Sequence, residues 1–207
     1  PQSDGAGETE KAAVLEQWLI EHGFSVRHFD APDSRVPSGI RPNLLVEIDP
    51  PESEAPAAGT SGEHRLWIMS HLDVVPPGEQ SLWESDPYTL RVEGDRIYGR
   101  GVEDNQQGLV ASIGAALALK QAGISPSLPV RLLFVADEET GSTYGIQYLL
   151  KEHPDLFSEG DLFLVPDSGT PAGDEIEIAE KSTLWLKLKT RGKQCHASMP
   201  QEGKNAF

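Results

Sequence analysis

The chain has 207 residues, 38% of them hydrophobic, one cysteine, and a formal net charge of −16 from 33 acidic and 17 basic residues. That length suits one soluble globular unit, or one and a fraction, and no apolar run reaches the roughly 20 residues of a membrane span. The negative field disfavours nucleic acid and anionic membrane as partners, and the single Cys195 excludes an internal disulfide framework and fits a reducing compartment.

The N-terminal "PQSDGAGETEK" is polar and acidic, unlike a signal peptide, so a cytoplasmic location is expected. "ETEKAAVLEQWLIEHG" (8–23) sets Val14, Leu15, Trp18 and Leu19 at helical spacing, with Gly23 as a stop. "FSVRHF" and "NLLVEI" (43–48) read as strands around a Pro/Ser/Asp-rich turn, and "PPESEAPAAGTSGE" (50–63) as a loop by composition. "HRLWIMS" (64–70) is a buried strand, and "YTLRVEGDRIYG" (88–99) a hairpin turning at Glu93-Gly94-Asp95. "DNQQGLVASIGAALALKQAG" (104–123) is a long helix closed by Gly123. "PVRLLFVA" (129–136) is a second buried strand, followed by a helix near "TYGIQYLLKE" (143–152), and "DLFLV" (161–165) is a third. Short apolar strands alternating with helices predict an α/β fold, a mostly parallel sheet covered on both faces.

After Gly173 the pattern changes. "EIEIAEKSTLWLKLKTRG" (175–192) alternates apolar and polar residues and predicts a half-exposed antiparallel sheet. This sets a domain boundary near residue 180, giving segments 1–180 and 181–207. The second is too short to build a core, so the chain is expected to be a piece of a longer protein.

Ligands of open α/β sheets bind beyond the carboxyl ends of parallel strands. After "LWIMS" come His71 and Asp73; after "LLFVA" come Asp137, Glu138 and Glu139; after "LFLVP" comes Asp167. "GRGVEDNQQG" adds Asp104 at the start of the long helix. Taken singly, Asp104 reads as an N-cap, the acidic run as a solvated turn and His71 as a structural histidine. Together they gather like charges on one edge, an arrangement that a cation makes tolerable. One imidazole among carboxylates suits zinc, or cobalt or manganese, better than magnesium or calcium. Asp73 can orient the His71 ring through its other nitrogen. Neighbouring residues of an extended segment point opposite ways, so one of Glu138 and Glu139 can ligate while the other activates a water.

"SHLDVVPPG", "LWESDPYTLRVEGDRIYGRGVEDNQQG", "VADEETGS" and "VPDSG", in this order and spacing, resemble the M20 co-catalytic metallopeptidases related to carboxypeptidase G. That family includes acetylornithine deacetylase, succinyl-diaminopimelate desuccinylase, aminoacylase and carnosinase-type dipeptidases. The resemblance implies a zinc-exopeptidase-like catalytic domain, with the truncated start of an α+β lid domain after residue 180. It makes His71 the first metal ligand, Asp73 the acid orienting it, Asp104 the carboxylate bridging two metals, and Asp167 the remaining ligand on the His71 side. Glu138 would be the general base and Glu139 a ligand of the second metal. "GKQCHASMPQEGKNA" resembles the start of the lid, whose histidine, here His196, helps hold a substrate carbonyl oxygen across a homodimer.

Two departures stand out. Family members often carry Lys-Gly soon after the bridging Asp, where this chain has Gln106-Gln107-Gly108, and the second metal's histidine comes from beyond the lid, past Phe207. The resemblance implies hydrolysis of the amide bond of a small N-acyl amino acid or short peptide by a water activated between two divalent ions. The rivals are a non-catalytic scaffold of the same fold and a serine hydrolase. The latter lacks a Gly-x-Ser-x-Gly elbow, since Gly141 to Gly145 has Thr143 at the nucleophile position.

Overall fold

Apolar runs become central strands where helices cover both faces of a sheet. The computed structural model describes residues 5–51, 64–179, 184 and 186–207. In chain order the elements are α1 (Thr9–Glu21), β1 (Val26–His28), β2 (Ala31–Pro32), β3 (Ile40–Arg41), β4 (Leu44–Ile48), β5 (Leu66–His71), β6 (Arg91–Glu93), β7 (Arg96–Tyr98), α2 (Gly108–Ala122), β8 (Val130–Val135), α3 (Ile146–Glu152) and β9 (Leu162–Leu164).

The main sheet has the order β1-β4-β8-β5-β9. The three strands that sequence predicts as buried, β5, β8 and β9, lie side by side and run parallel, with Leu66 opposite both Val130 and Leu162. The other side is antiparallel, β4 pairing with both β8 and β1, so the sheet is mixed. Two short hairpins lie outside it: β6–β7, as the sequence predicts, and β2–β3, which falls within the Pro/Ser/Asp-rich turn.

The alternation of side chains along a strand sorts the core into two layers. Leu44, Val46, Leu132 and Phe134 face α1 and α2, where Leu19, Leu109, Ile113 and Ala116 close over them. Leu45, Leu133, Val135 and Trp67 face the other way, against Leu149 of α3 and Phe29. With both faces covered, β4 and β8 carry the continuous apolar stretches 44–46 and 132–135.

Several expectations need correction. The buried stripe of α1 runs through Ala12 and Leu19 with Leu15 packed against the core, whereas Val14 and Trp18 are exposed. Ala12 is too small to announce that face in the sequence. Helix α2 begins at Gly108, not at Asp104; the preceding turn, Val102–Gln107, leaves helical geometry at Asp104 (φ −103°, ψ 98°) and Asn105 (φ −124°, ψ 31°), and the peptide between them is cis. Strand β9 is not buried: Leu162 and Leu164 are 53% and 51% exposed, because β9 is the last strand of the sheet and pairs on one side only among the described residues. The predicted loop 50–63 lies mostly outside the described residues.

The chain divides into two compact units, Pro1–Gly169 and Thr170–Phe207. In the second unit the alternating segment 175–192 forms no strand among its described residues, and these are exposed. A β-ladder needs a partner edge, and the pairing seen in this unit is one antiparallel bridge between Lys193 and Lys204.

Candidate metal centre and active site

The parallel register fixes where chemistry can gather. His71 is the last residue of β5 and lies opposite Val135, the last residue of β8, so the loops leaving both strands emerge on the same sheet edge. Asp137 to Glu139 come directly after β8, and Asp167 comes after β9. The Val102–Gln107 turn brings Asp104 to the same place.

Three of these side chains, from Asp104, Asp167 and Glu138, converge on one ring nitrogen. His71 Nε2 lies 2.7 Å from Asp104 Oδ1, 3.5 Å from Asp167 Oδ1 and 4.0 Å from Glu138 Oε2. Its other nitrogen, Nδ1, lies 3.0 Å from the Asp73 main-chain carbonyl oxygen and 3.4 Å from the Asp73 carboxylate. Asp73 therefore faces the ring, as the sequence suggests, through its backbone and its side chain together.

Asp73 also reaches beyond the ring. It is fully buried, and its two carboxylate oxygens accept the backbone N–H groups of Glu138 at 3.0 Å and Glu139 at 3.1 Å. One carboxylate thus holds the histidine on one side and the start of the glutamate turn on the other. The Glu139 side chain turns toward the end of β5, where Oε1 accepts the Val75 N–H at 3.2 Å.

The electrostatics result from this crowding. Burial disfavours a charged His71, but the hydrogen bonds and charges of Asp73 and Asp104 outweigh it and raise its pKa to about 9. Burial pushes Glu138 above the usual carboxylate range, with Asp167 and Glu139 adding to the effect. Burial raises Glu139 as well, reinforced by Asp104. Asp73 goes the other way, because His71 and the two amide donors overcome the cost of its burial.

This donor set fits a divalent cation. Ligand atoms lie within 4.8 Å of one another in two overlapping groups, His71–Glu138–Asp167 and His71–Asp104–Glu139. Imidazole with carboxylates on several sides is the combination zinc, cobalt and manganese accept.

Three contributors escape sequence reasoning. Asn105 is buried next to Asp104, and its amide donates to Asp167 and, at 3.3 Å, to the Pro166 carbonyl oxygen. Gly108 makes that approach possible, since a Cβ there would run into the same carbonyl. Lys11 of α1 donates from Nζ to the Leu72 carbonyl oxygen at 2.8 Å, between His71 and Asp73. Burial pulls its pKa down to about 8, although Asp73, Glu8 and Asp104 favour its charge. The glycine had a signal in its close spacing to "EDN"; the lysine and asparagine had none.

His196 belongs to the second unit and is exposed there. Its Nδ1 lies 2.8 Å from Ser198 Oγ and accepts the Ser198 N–H at 3.3 Å. Among the described residues no helix is long and apolar enough to cross a membrane.

The chain is 40% identical over 212 residues to an uncharacterized metallohydrolase of Methanocaldococcus jannaschii, covering 100% of this chain and 49% of that protein. It is 31% identical over 210 residues to succinyl-diaminopimelate desuccinylase of Gluconobacter oxydans, covering 98% of this chain and 48% of that one. The chain thus spans about half the length of these curated relatives. Among solved structures, an M20 family metallo-carboxypeptidase from Sulfolobus solfataricus superposes with a TM-score of 0.62 at 24% identity, over 83% of this chain and 36% of that one, a likeness of fold. The sequence model of Peptidase family M20/M25/M40 matches residues 67–194, more than half of the chain and the stretch that carries His71, Asp104, Glu138, Glu139 and Asp167, and the chain belongs to that family.

Proposed function

We propose that the full-length protein is a metal-dependent hydrolase that cleaves the amide bond of a small N-acyl amino acid or a short peptide. The observation carrying this reading is the convergence of Asp104, Asp167 and Glu138 on His71 Nε2, with Glu139 in the second of the overlapping groups. A desuccinylase among the relatives supports the deacylase branch, and a metallo-carboxypeptidase among the fold neighbours is compatible with the peptidase branch.

In this reading His71, Asp104, Glu139 and Asp167 would hold two divalent ions, zinc being favoured over cobalt or manganese, with Asp104 available to serve both. Bound ions supply Lewis acidity for the scissile carbonyl. Asp73 keeps the His71 ring oriented and its Nδ1 engaged. Glu138 takes a proton from the attacking water and hands it to the leaving amine, and its raised pKa suits a group that must both accept and release a proton. His196, supplied across a homodimer, steadies the carbonyl oxygen. The substrate is a small molecule or short peptide rather than nucleic acid or membrane. The lone Cys195 is compatible with a cytoplasmic setting.

The test is metal analysis of the full-length protein combined with a hydrolysis panel of N-succinyl and N-acetyl amino acids and dipeptides. Glu138→Gln should keep its metal and lose turnover by several orders of magnitude. Turnover near that of the wild type in a metal-loaded Glu138→Gln protein would remove Glu138 from its role. A wild-type protein that takes up no divalent ion would end the reading.

A further inference from the structure

Behind the two glutamates lies a buried charge cluster that the hydrolytic scheme does not use. Asp137 opens their turn in left-handed backbone geometry (φ 62°, ψ 24°), which a non-glycine residue keeps only where its surroundings impose it. Its side chain points inward. Oδ2 accepts the Tyr144 N–H at 3.1 Å, and Oδ1 accepts the Thr140 hydroxyl and lies 3.8 Å from Arg41 Nη1.

Arg41, at the end of β3, is only 2% exposed. Its Nη1 donates to Glu8 Oε1 and its Nε to Asp33 Oδ2, both at 2.7 Å. Glu8 is the residue just before α1, and Asp33 is the residue just after β2. The start of α1, the β2–β3 hairpin and the glutamate turn therefore meet at one guanidinium. Buried ion clusters contribute little net stability compared with apolar packing of the same volume. The consequence to look for is the geometry this one imposes.

We infer that Arg41 is a positioning residue, which through Asp137 sets where Glu138 and Glu139 meet the His71, Asp104 and Asp167 side chains. Asp73 holds the turn by its amides from the metal side, and Arg41 holds it by Asp137 from the core side. With both grips in place the two glutamate side chains have a fixed origin. The inference rests on the proposed hydrolase for its kinetic readout; its second readout, cation affinity, needs no substrate.

The experiment uses the full-length protein with Arg41→Gln, Asp137→Asn and the double variant, below their melting temperatures. Asparagine tolerates left-handed geometry, so Asp137→Asn keeps the turn's backbone while weakening the grip. Each single variant should lower kcat by about 10- to 100-fold with KM nearly unmoved, and weaken Co2+ binding by a similar factor in a visible-absorption titration. The double variant should lose no more than the worse single, because both changes cut the same link. Arg131→Gln is the control: it breaks pairs with Asp49 (2.7 Å) and Glu47 (3.4 Å) at the opposite end of the sheet. It should lower the melting temperature yet keep kcat and Co2+ affinity.

Should Arg41→Gln fail to fold, Asp137→Asn decides. A folded Asp137→Asn protein with kcat and Co2+ affinity within about twofold of wild type overturns the inference, as do losses that multiply in the double variant. If the wild-type protein hydrolyses nothing in the panel, the hydrolase reading fails by itself and the Co2+ titration alone judges Arg41.

Discussion

The Asp73 carboxylate accepts the Glu138 N–H at 3.0 Å while its other oxygen accepts the N–H of the next residue, so a residue two positions after His71 also governs the turn at the end of β8. Asp73→Asn puts a donor where one of those amides needs an acceptor and removes the charge facing the imidazole. We expect a loss of about 10- to 100-fold in metal affinity, in turnover, or in both. Competition with a chromogenic chelator and steady-state kinetics would measure it. Wild-type values for both would dismiss Asp73 as an organiser of the site.

Removing divalent ions should be felt by the fold. Asp104, Glu138, Glu139 and Asp167 crowd one imidazole, and a cation relieves their repulsion in the folded state alone. At a free Zn2+ concentration about 100 times its Kd the gain is roughly 2.7 kcal/mol. Thermal melts of chelator-treated and zinc-loaded protein should separate accordingly, and Asp104→Ala should shrink the gap. Coincident melts for wild type would count against a metal centre.

Asp33 offers a pH test away from the site. Its carboxylate takes hydrogen bonds from Arg35 and Arg41, and these hold it far below its ordinary value of 3.8 despite burial. With the folded pKa depressed, its stabilisation is present above the unfolded value and is lost as pH falls through the folded one. Asp33→Asn should therefore cost about 1.5 to 3 kcal/mol near pH 7, with the difference from wild type narrowing steadily in acid below the ordinary value. Urea melts across pH would show it. A difference that does not change with pH would mean that charge is not what Asp33 contributes.

Gly108→Ala sets two effects against each other. Alanine in a helix gains about 1 kcal/mol over glycine, and Gly108 has ordinary helical geometry (φ −62°, ψ −43°). The new Cβ, however, meets the Pro166 carbonyl, and overpacking of that kind costs about 1 to 3 kcal/mol. We expect a net loss of stability together with weaker metal binding, since Asp167 is the next residue. A variant more stable than wild type would show that Pro166 can step aside freely.

How much of the molecule is readable from sequence depends on whether a residue's signal is local. His71, Asp104, Glu138, Glu139 and Asp167 come after apolar strands or adjoin a long helix, so chain order with the parallel-sheet rule is enough to bring them together. Asp73 is foreseeable as a partner of the ring but not of the glutamate amides, because that pairing crosses 65 residues of sequence. Arg41 and Lys11 are invisible for a related reason: Arg41 meets Glu8, Asp33 and Asp137, Lys11 donates to Leu72 across 61 residues of sequence, and a charged residue in isolation reads as surface. Exposure of Val14 and Trp18 on α1, and of β9, depends on which neighbours a side chain meets, which periodicity alone does not encode. The alternation in 175–192 describes a pattern suited to a sheet without supplying the second strand that a sheet requires.

Strand β9 has a practical corollary. Among the described residues its outer edge pairs with no strand and is flanked by half-exposed Leu162, Phe163 and Leu164, the profile of a surface on which another molecule can add a strand. Opposing this is the electrostatic push between two bodies that each carry a net charge of −16. The push fades over about 10 Å at 0.1 M salt and about 3 Å at 1 M, whereas strand addition acts at contact. The chain should stay dispersed in dilute buffer and grow adhesive as salt is added, so light scattering against ionic strength would show which force governs its solubility.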